Sequence, residues 1–357
     1  MKKNKDKFKY FYKDLLQYQK EINSELKRFF NKKIKESSLI FKQAAETIRI
    51  LKQGNIVGGK RIRPILINVG YSLAGGKNKK SILKASLSIE LLHNYFLIHD
   101  DIIDRDELRR GKKSLYSFYK NKTNDLHKGI SLAIVGGDIT ISLAYQAILE
   151  SNFLEKNKIK ALEILNQTNI NTCHGQMLEM FLESKPNKIT EKEIFNILKN
   201  KTAYYTFANP LKIGAVLAGS NNKFLSQLEK IGLSLGIAFQ IRDDILDLFG
   251  SEKELGKPVA SDIKEGKPNL LILKTLALAK PKDKKIFKEY LGKKIINQKD
   301  IKEIRRIVTE SRALDYCQNK AWGLVKKASF LIKKMKVPQK EKEFLLNLAD
   351  YIIERKF

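Results

Sequence analysis

Two short acidic runs carry the chemistry legible in this chain. The first, His93-Asn-Tyr-Phe-Leu-Ile-His-Asp-Asp-Ile-Ile-Asp104, closes on Asp100, Asp101 and Asp104. The second, Phe239-Gln-Ile-Arg-Asp-Asp-Ile-Leu-Asp247, repeats the spacing with Asp243, Asp244 and Asp247, and Gln240 lies one turn ahead of them. On a helix, residues four apart share a face, so Asp100 stacks on Asp104 and Asp243 on Asp247. Carboxylates this close repel unless a cation sits among them. Hard oxygen donors at this spacing suit Mg²⁺, which keeps several waters and bridges carboxylate to phosphate. A single such run could be a solvated helix end, although negative charge at a helix C-terminus opposes the macrodipole. Two copies about 140 residues apart, each ending an apolar helix, read instead as two carboxylate helices facing across a cavity, holding Mg²⁺ and a polyphosphate.

A polyphosphate also needs cations. Gly58-Gly-Lys-Arg-Ile-Arg-Pro64 is a glycine loop running into a helix, where Lys60 and Arg63 can reach an anion at the helix N-terminus. Taken alone, it could be an ordinary basic turn. His93 is two turns before Asp100 on the same face, placed either as a phosphate donor or as a core histidine. Arg109 and Arg110 follow the first acids and can either neutralise them or grip a second phosphate. After the second acids comes Gly256-Lys-Pro-Val-Ala-Ser-Asp-Ile-Lys-Glu-Gly-Lys-Pro268, whose Lys257 and Lys267 read as the tips of a closing flap or as a solvated basic loop.

The elements that must position these groups read as helices throughout, and no β pattern is persuasive. Apolar periodicity predicts helices over about 37–52, 79–104, 128–150, 158–183 and 222–250, with further amphipathic helices over 268–355. Thr190 and Glu193 predict a capping box. Residues 1–30 form a Lys-rich extension bearing Phe8, Tyr10, Phe11 and Tyr12 that passes into a helix, either packed or touching a membrane. The whole chain, 1–357, is expected to be one domain. Only 7 Pro interrupt it. No stretch reads as a signal peptide or a membrane span, and Cys173 and Cys317 form no disulfide framework, so a cytoplasmic protein is expected. The net charge of +30 invites a nucleic-acid reading, but only 12 of the 69 basic residues are Arg, and five of those (Arg61, Arg63, Arg109, Arg110, Arg242) lie in the motif segments. The Lys surplus reads as a surface coat, able to attract anionic membrane or an anionic substrate rather than a specific nucleic acid.

Together the Gly-Gly-Lys-Arg-x-Arg-Pro loop, both Asp-Asp-x-x-Asp runs, Arg109-Arg110-Gly111, Lys201-Thr202 and the Gly-Lys flap occur in the order of the trans-isoprenyl diphosphate synthases (polyprenyl synthetases), which the chain resembles from about residue 37 onward. The resemblance implies an all-α bundle around a deep central cavity, usually a homodimer. It implies that Asp100, Asp101, Asp104 and Asp243 hold three Mg²⁺, with Asp244 and Asp247 assisting. Arg109, Lys201 and Lys257 would bind the allylic diphosphate (dimethylallyl, geranyl or farnesyl), and Lys60, Arg63, His93 and Arg110 the isopentenyl diphosphate. Thr202 and Gln240 would line the reacting centre, and Lys267 would close the flap over the allylic diphosphate. The implied reaction is head-to-tail prenyl transfer, giving a short all-trans polyprenyl diphosphate. Aromatics such as Tyr95 and Phe96 below the first acids shorten the product in this family, which favours farnesyl (C15), with geranylgeranyl (C20) next.

Two positions depart from the family pattern. Pro268-Asn269 stands where a Thr is usual, and Glu179 stands where an Asp is frequent. A class I terpene cyclase shares the ionisation chemistry but needs neither the second acidic run nor Lys60, Arg63 and His93. A non-catalytic subunit or a polyanion-binding protein would need neither acidic run intact, and the latter predicts salt-sensitive binding without turnover.

Overall fold

A computed structural model describes residues 8–56, 58–183, 189–251 and 259–354. Helices dominate, as the periodicity predicts. In chain order they are α1 Lys9–Ser38, α2 Lys42–Ile56, α3 Ile62–Leu73, α4 Lys79–Ile103, α5 Leu115–Thr123, α6 Leu126–Leu149, α7 Glu155–Glu183, α8 Glu191–Ile197, α9 Asn209–Leu217, α10 Asn222–Phe249, α11 Ser261–Glu265, α12 Leu270–Leu278, α13 Pro281–Tyr290, α14 Gln298–Glu310, α15 Ala313–Lys334 and α16 Gln339–Glu354. Two features lie outside the sequence reading. The stretch Leu198–Ala208 is a π-helix, and Leu108–Arg109 (β1) pairs antiparallel with Lys112–Lys113 (β2). The helix expected over 37–52 starts later, because a turn at Leu39-Ile40-Phe41 separates α1 from α2.

The chain divides into two compact units, Met1–Asn166 with Pro210–Leu225, and Gln167–Asn209 with Ser226–Phe357. In the first, α4 is the central element. The Asn78 side chain caps its N-terminus by accepting from the Ser81 N–H at 3.1 Å. Leu87, Ile89, Leu91 and Leu92 are wholly buried on different sides of α4, between α3 and α6 among others. Burial of each such side chain contributes about 1.5–3 kcal/mol, which fixes the helix that ends in the first acids. By length and composition α6 could cross a membrane. Here Ala133, Leu143, Ala144, Ala147 and Ile148 are buried within its unit, while Ile134, Val135 and Leu149 stay exposed.

The far end of α4's unit is fastened by Glu150, which accepts from Lys33 Nζ at 2.9 Å and Lys32 Nζ at 3.1 Å and pairs with Lys84 at 3.0 Å. Burial works to raise its pKa, but the hydrogen bonds from Lys33, Lys84 and Lys32 outweigh it and hold the carboxyl at about 2, below the ordinary 4.5. A depressed carboxylate pKa stabilises the fold above the unfolded-state value, and that stabilisation is lost as pH falls through the folded one. The melting-temperature advantage of the wild-type chain over Glu150→Gln is therefore full at neutral pH and closes between about pH 4.5 and 2. An advantage independent of pH would remove Glu150's charge from the explanation.

In the second unit, the predicted capping box forms, with Glu193 N donating to Thr190 Oγ1 and Thr190 N to Glu193 Oε2 at 2.7 Å. The amphipathic helices α12, α14, α15 and α16 pack on one another through Thr275, Ile304, Ala328 and Leu345. Both cysteines are free thiols, and burial pushes Cys317 up to about 12, so it is inert.

Candidate active site

The first acidic cluster grows from the C-terminal turn of α4. Asp104 is the helix C-cap, and its N–H donates to the Asp100 carbonyl at 2.8 Å. At about 100° per residue, Asp100 and Asp104 share a face with His93, and Phe96 lies about 40° from Asp100, whereas Tyr95 lies about 140° away. The Tyr95 ring packs on His99, 4.6 Å between centroids, and touches Phe96 at 5.3 Å. Asp101 turns to a different side, toward a mainly apolar cavity of about 340 Å³ whose lining includes Leu51, Leu97, Ile98, Arg109 and Phe118.

Asp101 is engaged. Arg109 Nε donates to its Oδ1 at 2.6 Å, and Arg109 Nη2 pairs with Asp106 at 3.1 Å. The tiny hairpin makes this possible. Arg110 and Gly111 both have positive φ, 53° and 75°, as a two-residue hairpin turn requires. The turn sends Arg109 to the acids and Arg110 to the glycine loop, where a Cβ on Gly58 would lie 3.6 Å from Arg110 Cδ. Of the two roles open to the arginine pair, Arg109 thus takes the neutralising one here. Burial raises the Asp101 pKa to about 6, with Asp106 and Asp100 adding to it, against the Arg109 contact that lowers it.

The anion loop is held from behind by a residue to which the spacing assigned no role. Arg61 is the N-cap of α3 in the left-handed region, φ 56°, and is only 3% exposed. Its Nη1 pairs with buried Glu90 on α4, its Nε donates to Asn23 Oδ1 at 2.9 Å and its Nη2 to the Asn55 carbonyl at 2.6 Å. Gln19 Nε2 donates to the Gly59 carbonyl at 2.7 Å. The loop bearing Lys60 and Arg63 is thereby tied to the helix bearing His93 and Asp100. The available signal was Glu90 itself, a lone carboxylate in the apolar run from Ile82 to Ile98, which had to find a partner. Burial, then the charges of Arg63, Arg110, Arg61 and Arg109, push His93 well below its ordinary range, so it is a neutral imidazole at pH 7. Neutral His93 can donate one N–H to an anion among cations.

The second acidic cluster is built on α10 and the π-helix. A Cβ on Gly175 would lie 2.5 Å from the Lys201 backbone N, and one on Gly236 would lie 2.5 Å from the Ala203 Cα. These two glycines let α7 and α10 close on the π-helical backbone. The wide turn points neighbouring residues at different partners, Lys201 to Glu179 on α7 and Thr202 to Gln240 on α10 at 3.1 Å. π-Helical turns concentrate at functional sites. Glu179, one carbon longer than the Asp that is frequent in the family, makes the ion pair with Lys201.

From Gln240 the network continues to Asp244, whose Oδ1 accepts from Nε2 at 2.9 Å. Asp244 Oδ2 is buried with no hydrogen-bond partner among the described residues. Burial, then Asp262, Asp243 and Asp247, hold this carboxyl well above its usual range against the lowering effect of Gln240. Asp247 accepts from Ser261 Oγ at 2.5 Å and from the Asp262 N–H at 3.1 Å, anchoring the chain that returns as α11. Asp262 went unread among the sequence candidates. Its Oδ2 accepts from Asn269 Nδ2 at 2.9 Å, and Asn269 Oδ1 caps α12 by accepting from Ile272 N at 2.9 Å. The departure Pro268-Asn269 therefore has a structural role. Lys267 pairs with Glu265 at 2.5 Å, and Lys257 lies outside the described residues.

Among the described residues, no three His, Cys, Asp or Glu side chains are already gathered as a metal cage. Short of that, the donor set fits Mg²⁺, an ion that takes few ligands from protein and the rest from water and phosphate. The unpartnered Asp244 oxygen and the raised Asp101 and Asp244 carboxyls mark anions whose ionised forms lack full compensation.

A profile of the family described as Polyprenyl synthetase matches residues 46–308. The chain belongs to the polyprenyl synthetase family. It is 36% identical over 305 residues to a geranylgeranyl diphosphate synthase of Sulfolobus acidocaldarius, covering 84% of this chain and 88% of the relative. It is 33% identical over 303 residues to a geranylfarnesyl diphosphate synthase of Aeropyrum pernix, covering 84% and 91%. Its fold is similar to that of the Corynebacterium glutamicum geranylgeranyl pyrophosphate synthase solved with isoprenyl diphosphate and magnesium, with a TM-score of 0.88, 28% identity, and 95% and 99% coverage. The Pyrococcus horikoshii geranylgeranyl pyrophosphate synthetase gives 0.83 at 30% identity, over 98% and 99%. This member of the polyprenyl synthetases is thus a prenyltransferase with the all-α isoprenoid-synthase fold.

Proposed function

We propose that this polyprenyl synthetase condenses isopentenyl diphosphate with an allylic diphosphate in the presence of Mg²⁺, and that its main product is the C20 geranylgeranyl diphosphate. What supports the reading is that one chain carries two acidic clusters and a separate cationic loop, since two diphosphates must be held at once. Bound Mg²⁺, three ions by the family pattern, would stabilise the departing diphosphate as charge develops on it. Asp100, Asp101, Asp104, Asp243, Asp244 and Asp247 would hold that metal. Arg109, Lys201, Lys257 and Lys267 would bind the allylic diphosphate, Arg109 and Lys201 exchanging Asp101 and Glu179 for phosphate oxygens. Thr202 and Gln240, already hydrogen-bonded to each other, would line the reacting centre. Lys60, Arg63, His93 and Arg110 would hold isopentenyl diphosphate, its double bond aligned on the allylic carbon.

Within the C15–C20 range expected of Tyr95 and Phe96, the names of the relatives support the longer product. Helix geometry supports Phe96 rather than Tyr95 as the residue beneath Asp100. The test is incubation with labelled isopentenyl diphosphate, mixed allylic diphosphates and Mg²⁺, followed by chromatography of the dephosphorylated alcohols. A C20 alcohol is expected from the wild type, and Phe96→Ala should lengthen it by at least one isoprene unit. Hydrocarbon without isopentenyl incorporation would favour a cyclase, and an unchanged distribution in the variant would place the tail elsewhere.

We further propose a homodimer through the exposed side of α6. Ile134, Val135 and Leu149 stand in water there, around a shallow depression containing Asp138, Ile139 and Gln146. Sedimentation at the mass of one 41.0 kDa chain would sink this.

A further inference from the structure

Away from every residue assigned above, α15 carries an aromatic and lysine ladder. Its inner face buries Ala321, Val325, Ala328 and Ile332. On the outer face Trp322 is 48% and Phe330 57% exposed. Lys326 Nζ lies 5.9 Å from the Trp322 ring centroid and Lys334 Nζ lies 4.2 Å from that of Phe330. Residues 322, 326, 330 and 334 are each one step of four apart, so ring and ammonium alternate along one stripe. The eight steps from Trp322 to Phe330 span about 12 Å of axis. From Tyr316 to Lys340 there are seven Lys and no Asp or Glu.

We propose that this face of α15 is a reversible docking surface for an anionic lipid bilayer, with the helix lying parallel to the membrane plane. In water each ammonium covers a ring by cation–π attraction. At an anionic interface the lysines can swing outward to the headgroups on their flexible stems, which frees Trp322 and Phe330 to enter the headgroup–acyl boundary. The occupant follows from the charges. The stripe carries only positive charge, which suits a broad anionic plane. Between Ala313 and Lys334 there is no Arg, the side chain best suited to bidentate phosphate readout in nucleic acid. Scattered single aromatics on a surface need no explanation. Two on one stripe, each paired with a lysine in an acid-free segment, do. The inference stands on α15 alone and is independent of the prenyl-transfer reading.

Trp322 is the only tryptophan of the chain, so the full-length protein reports on this face without labelling. The experiment titrates it with vesicles of phosphatidylserine and phosphatidylcholine in equal parts, and with phosphatidylcholine alone. The expected result is a blue shift of Trp322 emission and protection from acrylamide with the anionic vesicles only, both reversed by high salt. Lys326→Glu with Lys334→Glu should weaken vesicle binding at least about tenfold while prenyl transfer from soluble diphosphates stays unchanged. Phe330→Ser, which keeps the reporter, should weaken binding as well. Co-sedimentation with no change at Trp322 would move the contact elsewhere, for instance to the exposed Leu39-Ile40-Phe41 turn, and overturn the proposal. So would a shift produced equally by single-stranded polynucleotide, or one that grows with protein concentration and needs no lipid.

Discussion

Asp100→Ala lowers kcat for prenyl transfer by at least about 10²–10³-fold and leaves the melting temperature within a degree or two of the wild type. Function and stability separate at this residue. Asp100 stands in the last turn of α4, partly exposed, where a carboxylate opposes the helix dipole. Its removal is expected to cost the fold little and would take one oxygen from the proposed metal site. Asp101 provides the contrast, because it is buried and pairs with Arg109. Asp101→Asn should therefore cost stability as well as rate, since it leaves Arg109 with half its partner. Steady-state kinetics with excess Mg²⁺, beside thermal melts of both variants, check the pair. Near-normal turnover in Asp100→Ala would overturn the metal assignment of the first acidic run.

The second large effect is structural. Glu90→Ala strands the buried Arg61 guanidinium and is expected to destabilise the chain by about 3–5 kcal/mol. Arg61→Met strands Glu90 and should cost a similar amount. Replacing both, Arg61→Met with Glu90→Leu, should recover most of the stability, because removing a buried pair together is far cheaper than breaking it. It should not recover function. Arg61 holds a left-handed N-cap through Asn23, Asn55 and Glu90, and these bonds position the loop that presents Lys60 and Arg63. The double variant is expected to fold and to show a raised KM for isopentenyl diphosphate, with kcat at saturating substrate and the KM for the allylic substrate much less affected. Denaturant melts and separate titrations of the two substrates read these out. Equal losses for both substrates would make the pair a general stabiliser with no special bearing on the loop.

Much of this protein was determined by one-dimensional information. Residue type and spacing specify the two acidic runs, the basic glycine loop, the Thr190 capping box and the all-helical character, because each depends on contacts within a turn or two of helix. A period of 3.6 residues is enough to stack Asp100 on Asp104 or Gln240 on Asp244. The family follows from the order of those motifs.

Tertiary structure alone decided the rest, and the reason is common to each case: long-range partners leave no spacing in the chain. Arg61 looked like one more cation in a basic loop until Glu90, 29 positions away, met it in the interior. The π-helix at Leu198–Ala208 has no propensity signal of its own. It exists where Gly175 and Gly236 let two helices press on its backbone, and its wide turn gives Lys201 and Thr202 separate partners. Asp262 and Asn269, 15 and 22 positions after Asp247, become part of the second acidic cluster only because the chain folds back onto α10. Tyr95 and Phe96 are neighbours in sequence with one family role. On the helix they point about 100° apart, and Tyr95 stacks on His99. The α15 ladder was invisible for the opposite reason. In a chain with 69 basic residues another lysine carries no information, and only the fold shows which of them stand over exposed rings.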